Sequence, residues 1–92
     1  MAILARVELQ QAVWPHDYVV MQEKLRAIGF HPYLVNSENK TIDLPAGCYC
    51  SYDETNEVNG ANAIRKVANS TGFKNKVVCV SFNNWWGYFT DF

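Results

Sequence analysis

The sequence has few cysteines and no excess of positive charge, and each shortage excludes a class of protein. Its 92 residues include three cysteines, an odd number that is too small for a disulfide framework and is typical of a reducing compartment. Eight basic residues face nine acidic ones, which argues against strong sequence-independent affinity for nucleic acid but allows a local basic patch. Arg6 and Glu8 interrupt the N-terminal apolar run, so we expect no secretory leader, no membrane segment and a cytoplasmic protein.

The chain also has none of the short motifs that usually mark an active site. A glycine-rich phosphate loop, a Ser-His-Asp set and a pair of catalytic carboxylates are all missing from the sequence. Four residues can be considered as zinc ligands: Cys48, Cys50, Cys79 and His31. Their spacing is not that of a zinc knuckle, and buried or half-buried thiols explain the cysteines better. We therefore expect no metal and no cofactor.

The sequence does contain enough apolar surface for one folded domain. Hydrophobic residues make up 49% of the chain and aromatic residues 14%, which is too much for a disordered protein. A chain of this length has room for one core, so we expect a single domain over residues 1–92. The N-terminal stretch alternates strictly, as a half-buried strand does. Its apolar side holds Ile3, Ala5, Val7 and Leu9, and its other side holds Arg6, Glu8 and Gln10.

Five further elements are predicted along the chain from periodicity and from the positions of proline and glycine. They are a helix over residues 15–28, a strand over 30–35, a strand over 41–52, a helix over 57–71 and a strand over 76–82. We expect Ile28 in the buried stripe of the first helix, and a bulge at residues 45–47. Gly29 and Gly72 should end the two helices, because glycine accepts the left-handed C-cap conformation.

This order of elements predicts an α+β, ferredoxin-like βαββαβ fold. Two βαβ units with right-handed crossovers interleave into a four-stranded antiparallel sheet with both helices on one face. The first strand then lies in the middle of the sheet. The opposite face, which carries Arg6, Glu8 and Gln10, has no helix over it, and we expect function there.

Several short segments of the sequence match the pattern of one known family. They are Ala5-Arg6-Val7-Glu8-Leu9, Asp17-Tyr18 with Met21, Gly29-Phe30, Ile42-Asp43-Leu44-Pro45 with Tyr49, and Thr71-Gly72. Over roughly residues 4–80 the chain resembles the GhoS-type family, small enterobacterial and phage-borne proteins named after the antitoxin of a type V toxin-antitoxin system. The resemblance implies a ferredoxin-like fold and a metal-independent endoribonuclease that cuts the messenger RNA of a toxin.

RNA cleavage of this kind would use the RNA 2′-hydroxyl as nucleophile, so the protein would supply a base, an acid and cations. The candidate catalytic residues are His16, which lies beside Asp17 near the start of the first helix, and Arg26. The candidate nucleic-acid contacts are Arg6, Lys24, Arg26, Lys74 and Lys76. The same residue types are also ordinary solvated surface groups, and no catalytic residue is carried over from the family.

The C-terminal tail lies outside the resemblance and is strongly aromatic. Its candidate contact residues are Trp85, Trp86, Tyr88, Phe89 and Phe92. The tail could pack on its own domain as a fifth strand, pair with a second copy in a homodimer, dock on a foreign protein, or stack on unpaired bases. A second function therefore stays open, a non-enzymatic protein-binding module such as a phage-encoded inhibitor of a host defence (anti-CRISPR-like) or of a nucleic-acid machine. The expected partner is RNA or a host protein.

Overall fold

The described part of the chain folds into two helices and five strands. A computed structural model describes residues 2–53 and 56–88. The strands are β1 (Ala2–Leu9), β2 (Tyr33–Val35), β3 (Thr41–Asp43), β4 (Cys48–Ser51) and β5 (Asn75–Phe82), and the helices are α1 (Val19–Ala27) and α2 (Glu57–Asn69). One turn of 3-10 helix, His16–Tyr18, leads into α1. The α+β class expected from the sequence is confirmed.

β1 lies in the middle of a three-stranded antiparallel sheet, as its alternation predicts. The strand order is β4-β1-β5, and β1 pairs antiparallel with both neighbours. The buried residues of the alternating pattern are Ile3, Ala5, Val7 and Leu9, and the exposed ones are Arg6 and Glu8. Gln10, which we expected on the same side as Arg6, lies in the turn after β1.

Both helices cover the apolar face of β1 and complete the main core. The buried helical residues against that face are Met21 and Leu25 of α1 and Ile64 and Ala68 of α2. Full burial of each of the larger aliphatic side chains stabilises the fold by about 1.5–3 kcal/mol. The predicted placement of both helices on one face is confirmed. Neither helix in residues 2–53 and 56–88 is long and apolar enough to cross a bilayer.

The helix ends follow local sequence signals, with one correction in α1. The α-helix begins at Val19, four residues later than predicted, because the residues before it form the tighter 3-10 turn. Ile28 is 44% exposed and not part of the buried stripe, since it lies beyond the last residue of α1. Gly29 comes directly after the C-cap residue of α1 with a φ of 89°, as predicted. α2 ends at Asn69 rather than at residue 71, so Gly72, with a φ of 84°, belongs to the turn beyond its C-cap.

The predicted third strand, residues 41–52, consists of two strands that pair with different partners. β3 pairs with β2 in a hairpin, and after residues 44–47 the chain continues as β4 alongside β1. Gly47 has a φ of 80°, in the left-handed region that glycine adopts without steric cost. Its carbonyl accepts a 2.7 Å hydrogen bond from the amide of Val7. The interruption expected at residues 45–47 is therefore the point where the chain changes partner.

The hairpin of β2 and β3 separates from the sheet at Pro32. His31 and Cys50 exchange two backbone hydrogen bonds of 2.9 and 2.7 Å and form an isolated bridge beside β4. Pro32 has no amide hydrogen for a ladder, and its carbonyl accepts from the amide of Leu44, just after β3. The strands of the described residues therefore form a sheet of three and a hairpin of two.

Candidate functional site

Three of the eight basic side chains gather at one cleft beside the start of β5. Arg65 comes from α2, Lys74 directly precedes β5 and Lys76 is the second residue of that strand. The cleft is shallow, with a volume of about 600 Å³. We call it the basic cleft, lined by Gln10, Arg65, Asn69, Gly72, Phe73, Lys74, Asn75 and Lys76.

Short-range hydrogen bonds in the turn after α2 position Lys74. The Thr71 hydroxyl donates to the carbonyl of Ala68 over 2.6 Å and accepts from the amide of Phe73 over 3.3 Å. The carbonyl of Lys74 accepts a 2.7 Å hydrogen bond from the amide of Gln10, which ties this residue to the end of β1. The Lys74 backbone is therefore fixed while its side chain stays exposed.

An amide pair joins α2 to β5 within the basic cleft. The Asn75 side-chain amide donates to the Asn69 side-chain oxygen over 2.9 Å and to the carbonyl of Phe73 over 3.2 Å. Arg65 lies four residues before Asn69 on α2, so the two side chains occupy the same side of the helix. The three cationic side chains therefore lie around the hydrogen-bonded pair of Asn69 and Asn75.

The basic cleft is a local excess of positive charge in a chain whose net charge is −1. Its lining residues include no acidic side chain. Among residues 2–53 and 56–88, the one ion pair joins Lys40 to Glu38 over 3.7 Å, in the hairpin turn. Glu8 lies opposite Lys76 in the strand register, but the two do not form an ion pair. The cations of the basic cleft are thus available to an anion.

His16 lines a second cleft, which adjoins the basic cleft. This cleft has a volume of about 490 Å³ and is lined by His16, Asp17, Val19, Val20, Ser70, Thr71 and Phe73. Phe73 lines both clefts. The Asp17 carboxylate accepts a 2.7 Å hydrogen bond from the amide of Val13, so it holds the turn before α1. The structure therefore places His16 in a cleft that shares Phe73 with the basic cleft, and the Asp17 carboxylate is bonded to the backbone.

The other basic residues predicted as site residues are dispersed. Arg26 is in the last turn of α1, about 15 Å from His16 along the axis at a rise of 1.5 Å per residue. The Lys24 ammonium donates to the Ser70 hydroxyl over 3.1 Å. Arg6 is exposed on the side of β1 that faces away from both helices. Of the predicted nucleic-acid contacts, Lys74 and Lys76 line the basic cleft, whereas Lys24 contacts Ser70 of the second cleft.

Arg65 belongs to the basic cleft but was missed as a site residue. In the sequence it is one of several charged residues on the solvent-exposed side of a predicted helix. A usable signal was the short connection from α2 into β5, since residues 70–74 are too few to separate the last turns of the helix from the first residues of the strand. Cations near both ends of such a connection must lie close together.

The side of the sheet away from the helices carries a mixed row of residues. We call its uncovered part the open face, formed by Arg6, Glu8, Cys48, Lys76, Val78 and Val80. Arg6 lies between Cys48 and Val78, because directly opposite residues point to the same face. Val78 is 63% exposed. Burial raises the pKa of the Cys48 thiol, and the nearby Arg6 guanidinium offsets part of that rise.

The three cysteines are divided between the two faces of the sheet. Cys48 and Cys50 lie opposite Arg6 and Leu4, on the side away from the helices, whereas Cys79 lies opposite Ala5 on the helix side. In residues 2–53 and 56–88, no three histidine, cysteine or acidic side chains are close enough together to hold a metal ion. A zinc site built from these thiols would need ligands from both sides of the sheet.

One end of the sheet is covered on the side away from the helices by a second, small core. Its buried members are Ala2, Leu34 and Cys50, and Leu4, Leu44, Phe82 and Trp85 pack around them. The Tyr52 hydroxyl supports the hairpin there, since it accepts a 3.2 Å hydrogen bond from the amide of Val35. Trp85 therefore packs on its own domain.

The next aromatic residues of the tail point away from the domain. Trp86 is 84% exposed and Tyr88 is 89% exposed, and their rings meet edge to face with centroids 6.3 Å apart. Residues 83–88 run as irregular chain past the hairpin turn, and Trp86 lines a groove of about 390 Å³ together with Asn36. The remaining predicted contacts, Phe89 and Phe92, lie outside the described residues.

Comparison with known proteins adds no identification. No family model matches the chain, and no curated protein matches it. The resemblance to the GhoS-type family therefore stays a prediction from short sequence segments.

Proposed function

We propose that this protein is a GhoS-like antitoxin that acts on RNA and binds a single strand at the basic cleft. The observation that supports this proposal best is the gathering of Arg65, Lys74 and Lys76 around one cleft without an acidic lining residue. Lysine and arginine bind backbone phosphates and release the counterions that surround them. Three such contacts on a single strand predict weak, salt-sensitive binding, with a slope of about −2 for log affinity against log salt.

The bound strand would continue from the basic cleft along the open face. Lys76 belongs to both surfaces, and Arg6 is a further exposed cation in the middle of the sheet. At the other end of β5, the rings of Trp86 and Tyr88 are free for stacking with unpaired bases. β5 has eight residues and is about 26 Å long at 3.3 Å per residue, so the two ends would contact different nucleotides of one strand.

The proposal also includes RNA cleavage, for which His16 is the candidate acid or base. The imidazole lines the second cleft, which shares Phe73 with the basic cleft, and a histidine imidazole can act as a general acid or base towards a phosphate held there. His16 would accept the proton of the 2′-hydroxyl as that oxygen attacks the phosphorus, and the ammonium of Lys74 would stabilise the charge on the phosphorane. The bond from phosphorus to the 5′-oxygen then breaks, that oxygen takes a proton from water, and a 2′,3′-cyclic phosphate remains. Arg26 lies at the other end of α1, so we do not place it at the reacting phosphate.

The binding proposal is tested by fluorescence anisotropy with a labelled single-stranded RNA. Lys74→Gln and Lys76→Gln should each weaken binding about three- to tenfold and reduce the salt slope by about 0.7. Lys66→Gln is the matched control, because Lys66 is an exposed lysine of α2 that does not line the basic cleft. Equal losses in all three variants, or no binding by the wild type, would reject the basic cleft as the RNA site.

The cleavage proposal is tested separately by incubating the same RNA with the protein in excess chelator. Wild type should produce fragments that end in a 2′,3′-cyclic phosphate, the product expected when the 2′-hydroxyl attacks. His16→Ala should lose cleavage and keep its affinity, whereas Arg26→Ala should cut like the wild type. Uncut RNA with the wild type would reject the endoribonuclease while leaving the binding proposal standing.

A second candidate function is non-enzymatic binding of a protein, such as inhibition of a host defence or of a nucleic-acid machine. The observation that favours it is the exposure of Trp86 and Tyr88, since aromatic side chains of this kind often dominate protein interfaces. Trp86→Ala should then abolish a protein complex that Trp14→Ala leaves intact, because Trp14 is an exposed tryptophan in a different part of the fold. RNA affinity with no such complex would count against this candidate.

We also infer that the fold is the four-stranded ferredoxin-like one, with residues 30–35 as the strand beyond β4. Support comes from the antiparallel order β4-β1-β5 and from the His31 bridge to Cys50, which continues the sheet on the far side of β4. Amide exchange at His31 as slow as at Cys50 would agree with this inference. Fast exchange at His31 would leave a three-stranded sheet with a separate hairpin.

A further inference from the structure

We propose that β5 pairs edge to edge with the β5 strand of a second copy of this chain and extends the sheet across a two-fold axis. β5 is last in the order β4-β1-β5, and its outer edge has no strand partner within residues 2–53 and 56–88. The strand has eight residues, no proline and one charged residue, Lys76. Prolines, short strands and several charges are the usual means by which natural sheets keep their edges from pairing.

The hydrogen-bond pattern of β1 shows which backbone groups point to the outer edge of β5. The amide of Gln10 donates to the carbonyl of Lys74 in the register of the β1–β5 ladder, so these two residues form a hydrogen-bonded pair. Bonded and non-bonded pairs alternate along an antiparallel ladder. The even-numbered residues of β5 therefore bond to β1, and odd-numbered residues such as Val77 and Ser81 direct their amides and carbonyls outward.

One register of two antiparallel copies satisfies these outward groups and buries the exposed valines. Directly opposite residues of two paired strands point to the same face of the sheet. When Val77 lies opposite Ser81 of the partner subunit, the outward groups form bonded pairs and Val78 lies opposite Val80 of the partner subunit. The two-fold axis repeats each pair, so four valines cluster on the joined open faces. Non-bonded pairs such as these have Cα atoms about 4.5 Å apart, which brings their side chains into contact.

The same register avoids opposing like charges. Lys76 lies opposite Phe82 of the partner subunit, and the two lysines are at opposite ends of the paired strands. Shifting the register by two residues places one of the valines opposite Lys76 or Phe82 instead, and fewer valines then face each other. A single pair of eight-residue strands forms an interface at the small end of the specific range, so we expect a dimer with micromolar affinity.

Sedimentation equilibrium from about 1 μM to about 500 μM tests the proposal, and the mass should rise from 10.5 kDa towards twice that value. Val78→Lys should weaken the dimer at least about tenfold, because it removes both valine pairs and places two ammonium groups in the cluster. Val58→Lys is the matched control, since Val58 on α2 is 62% exposed and Val78 is 63% exposed. This control should dimerise like the wild type.

A mixture of two variants tests the register. When Val78→Lys is mixed with Val80→Glu, the new ammonium of one copy faces the new carboxylate of the other, and one valine pair survives. The mixture should therefore associate more tightly than either variant alone. A wild type that stays monomeric at the highest concentration, a Val78→Lys variant that dimerises like the wild type, or a mixture no tighter than its components would each overturn the proposal.

Discussion

The amide of Val7 donates a 2.7 Å hydrogen bond to the carbonyl of Gly47, and a Cβ atom on Gly47 would lie only 2.7 Å from the carbonyl oxygen of Val7. The two backbones therefore touch at the point where the chain leaves the hairpin and joins β1. Both atoms in the contact belong to backbones that are held by other pairings, so neither can move away easily. Glycine is needed here for space as well as for its φ of 80°.

Gly47→Ala should destabilise the protein by at least about 2 kcal/mol, because the methyl group collides with a backbone carbonyl and the residue stays in the left-handed region. Gly72→Ala is the matched control, with a φ of 84° but no described atom within 4 Å of the added Cβ. It should cost about 1 kcal/mol, from conformation alone. Urea denaturation measures both, and equal losses would contradict the role of the Val7 contact.

Two buried tyrosines should respond differently to loss of the hydroxyl. The Tyr18 hydroxyl accepts a 2.9 Å hydrogen bond from the amide of Leu9, so Tyr18→Phe leaves that amide unsatisfied and should cost about 1–3 kcal/mol. The Tyr49 hydroxyl is buried and makes no well-formed hydrogen bond to any described residue. The Gln22 side chain lies near this hydroxyl but not in good hydrogen-bonding geometry. Tyr49→Phe should therefore change the free energy of unfolding by less than about 0.5 kcal/mol. The reverse order in urea denaturation would contradict this account.

Stability should fall at alkaline pH. Burial raises the pKa of Cys48, Tyr49, Cys50 and Tyr52 above the ordinary values of 9.0 for cysteine and 10.0 for tyrosine. The folded state then keeps protons that the unfolded chain has released, so the free energy of unfolding decreases as the pH rises above about 9. Urea midpoints between pH 8 and pH 11 measure this loss, and it should be smaller in Cys50→Ala. A midpoint that stays constant over this range would contradict the prediction.

Substitutions of the two adjacent tryptophans of the tail should have different effects, one on stability and the other on RNA binding. Trp85 packs against Ala2, Leu34 and Cys50, so Trp85→Ala should destabilise the domain by about 1–3 kcal/mol. Trp86 is almost fully exposed, so Trp86→Ala should leave stability within about 0.5 kcal/mol while it weakens RNA binding. Thermal melts and anisotropy on the two variants measure both effects. A large stability loss in Trp86→Ala would show that this ring packs on the domain.

The parts of the fold that could be predicted from the sequence are those with a regular period. The alternation that begins at Ile3 identified β1 and its buried side, and the spacing of Ile64 and Ala68 identified the inner stripe of α2. Such periods reflect local backbone geometry, which does not depend on the rest of the chain. The left-handed glycine that follows each helix is local in the same sense.

The sequence does not show in the same way which strands pair and which elements come into contact. Gly47 indicates an interruption of the strand, but only the close contact with Val7 decides that the chain changes from one sheet to another there. Ile28 fits the helical period yet lies beyond the end of α1, and is exposed. At the candidate site, Lys74 and Lys76 were identifiable as exposed cations, whereas the approach of Arg65 depends on the turn between α2 and β5. Contacts between elements are set by tertiary packing, so they produce no periodic pattern in the sequence.

The most direct test of RNA binding at the basic cleft is a two-dimensional NMR titration of ¹⁵N-labelled protein with a short single-stranded RNA. Chemical shifts should change first at the amides of Arg65, Lys74 and Lys76, and next at the indole of Trp86. The amide signal of Arg26 should not shift. Shift changes confined to the helix surface around Arg26, or a spectrum that RNA does not alter, would contradict the account.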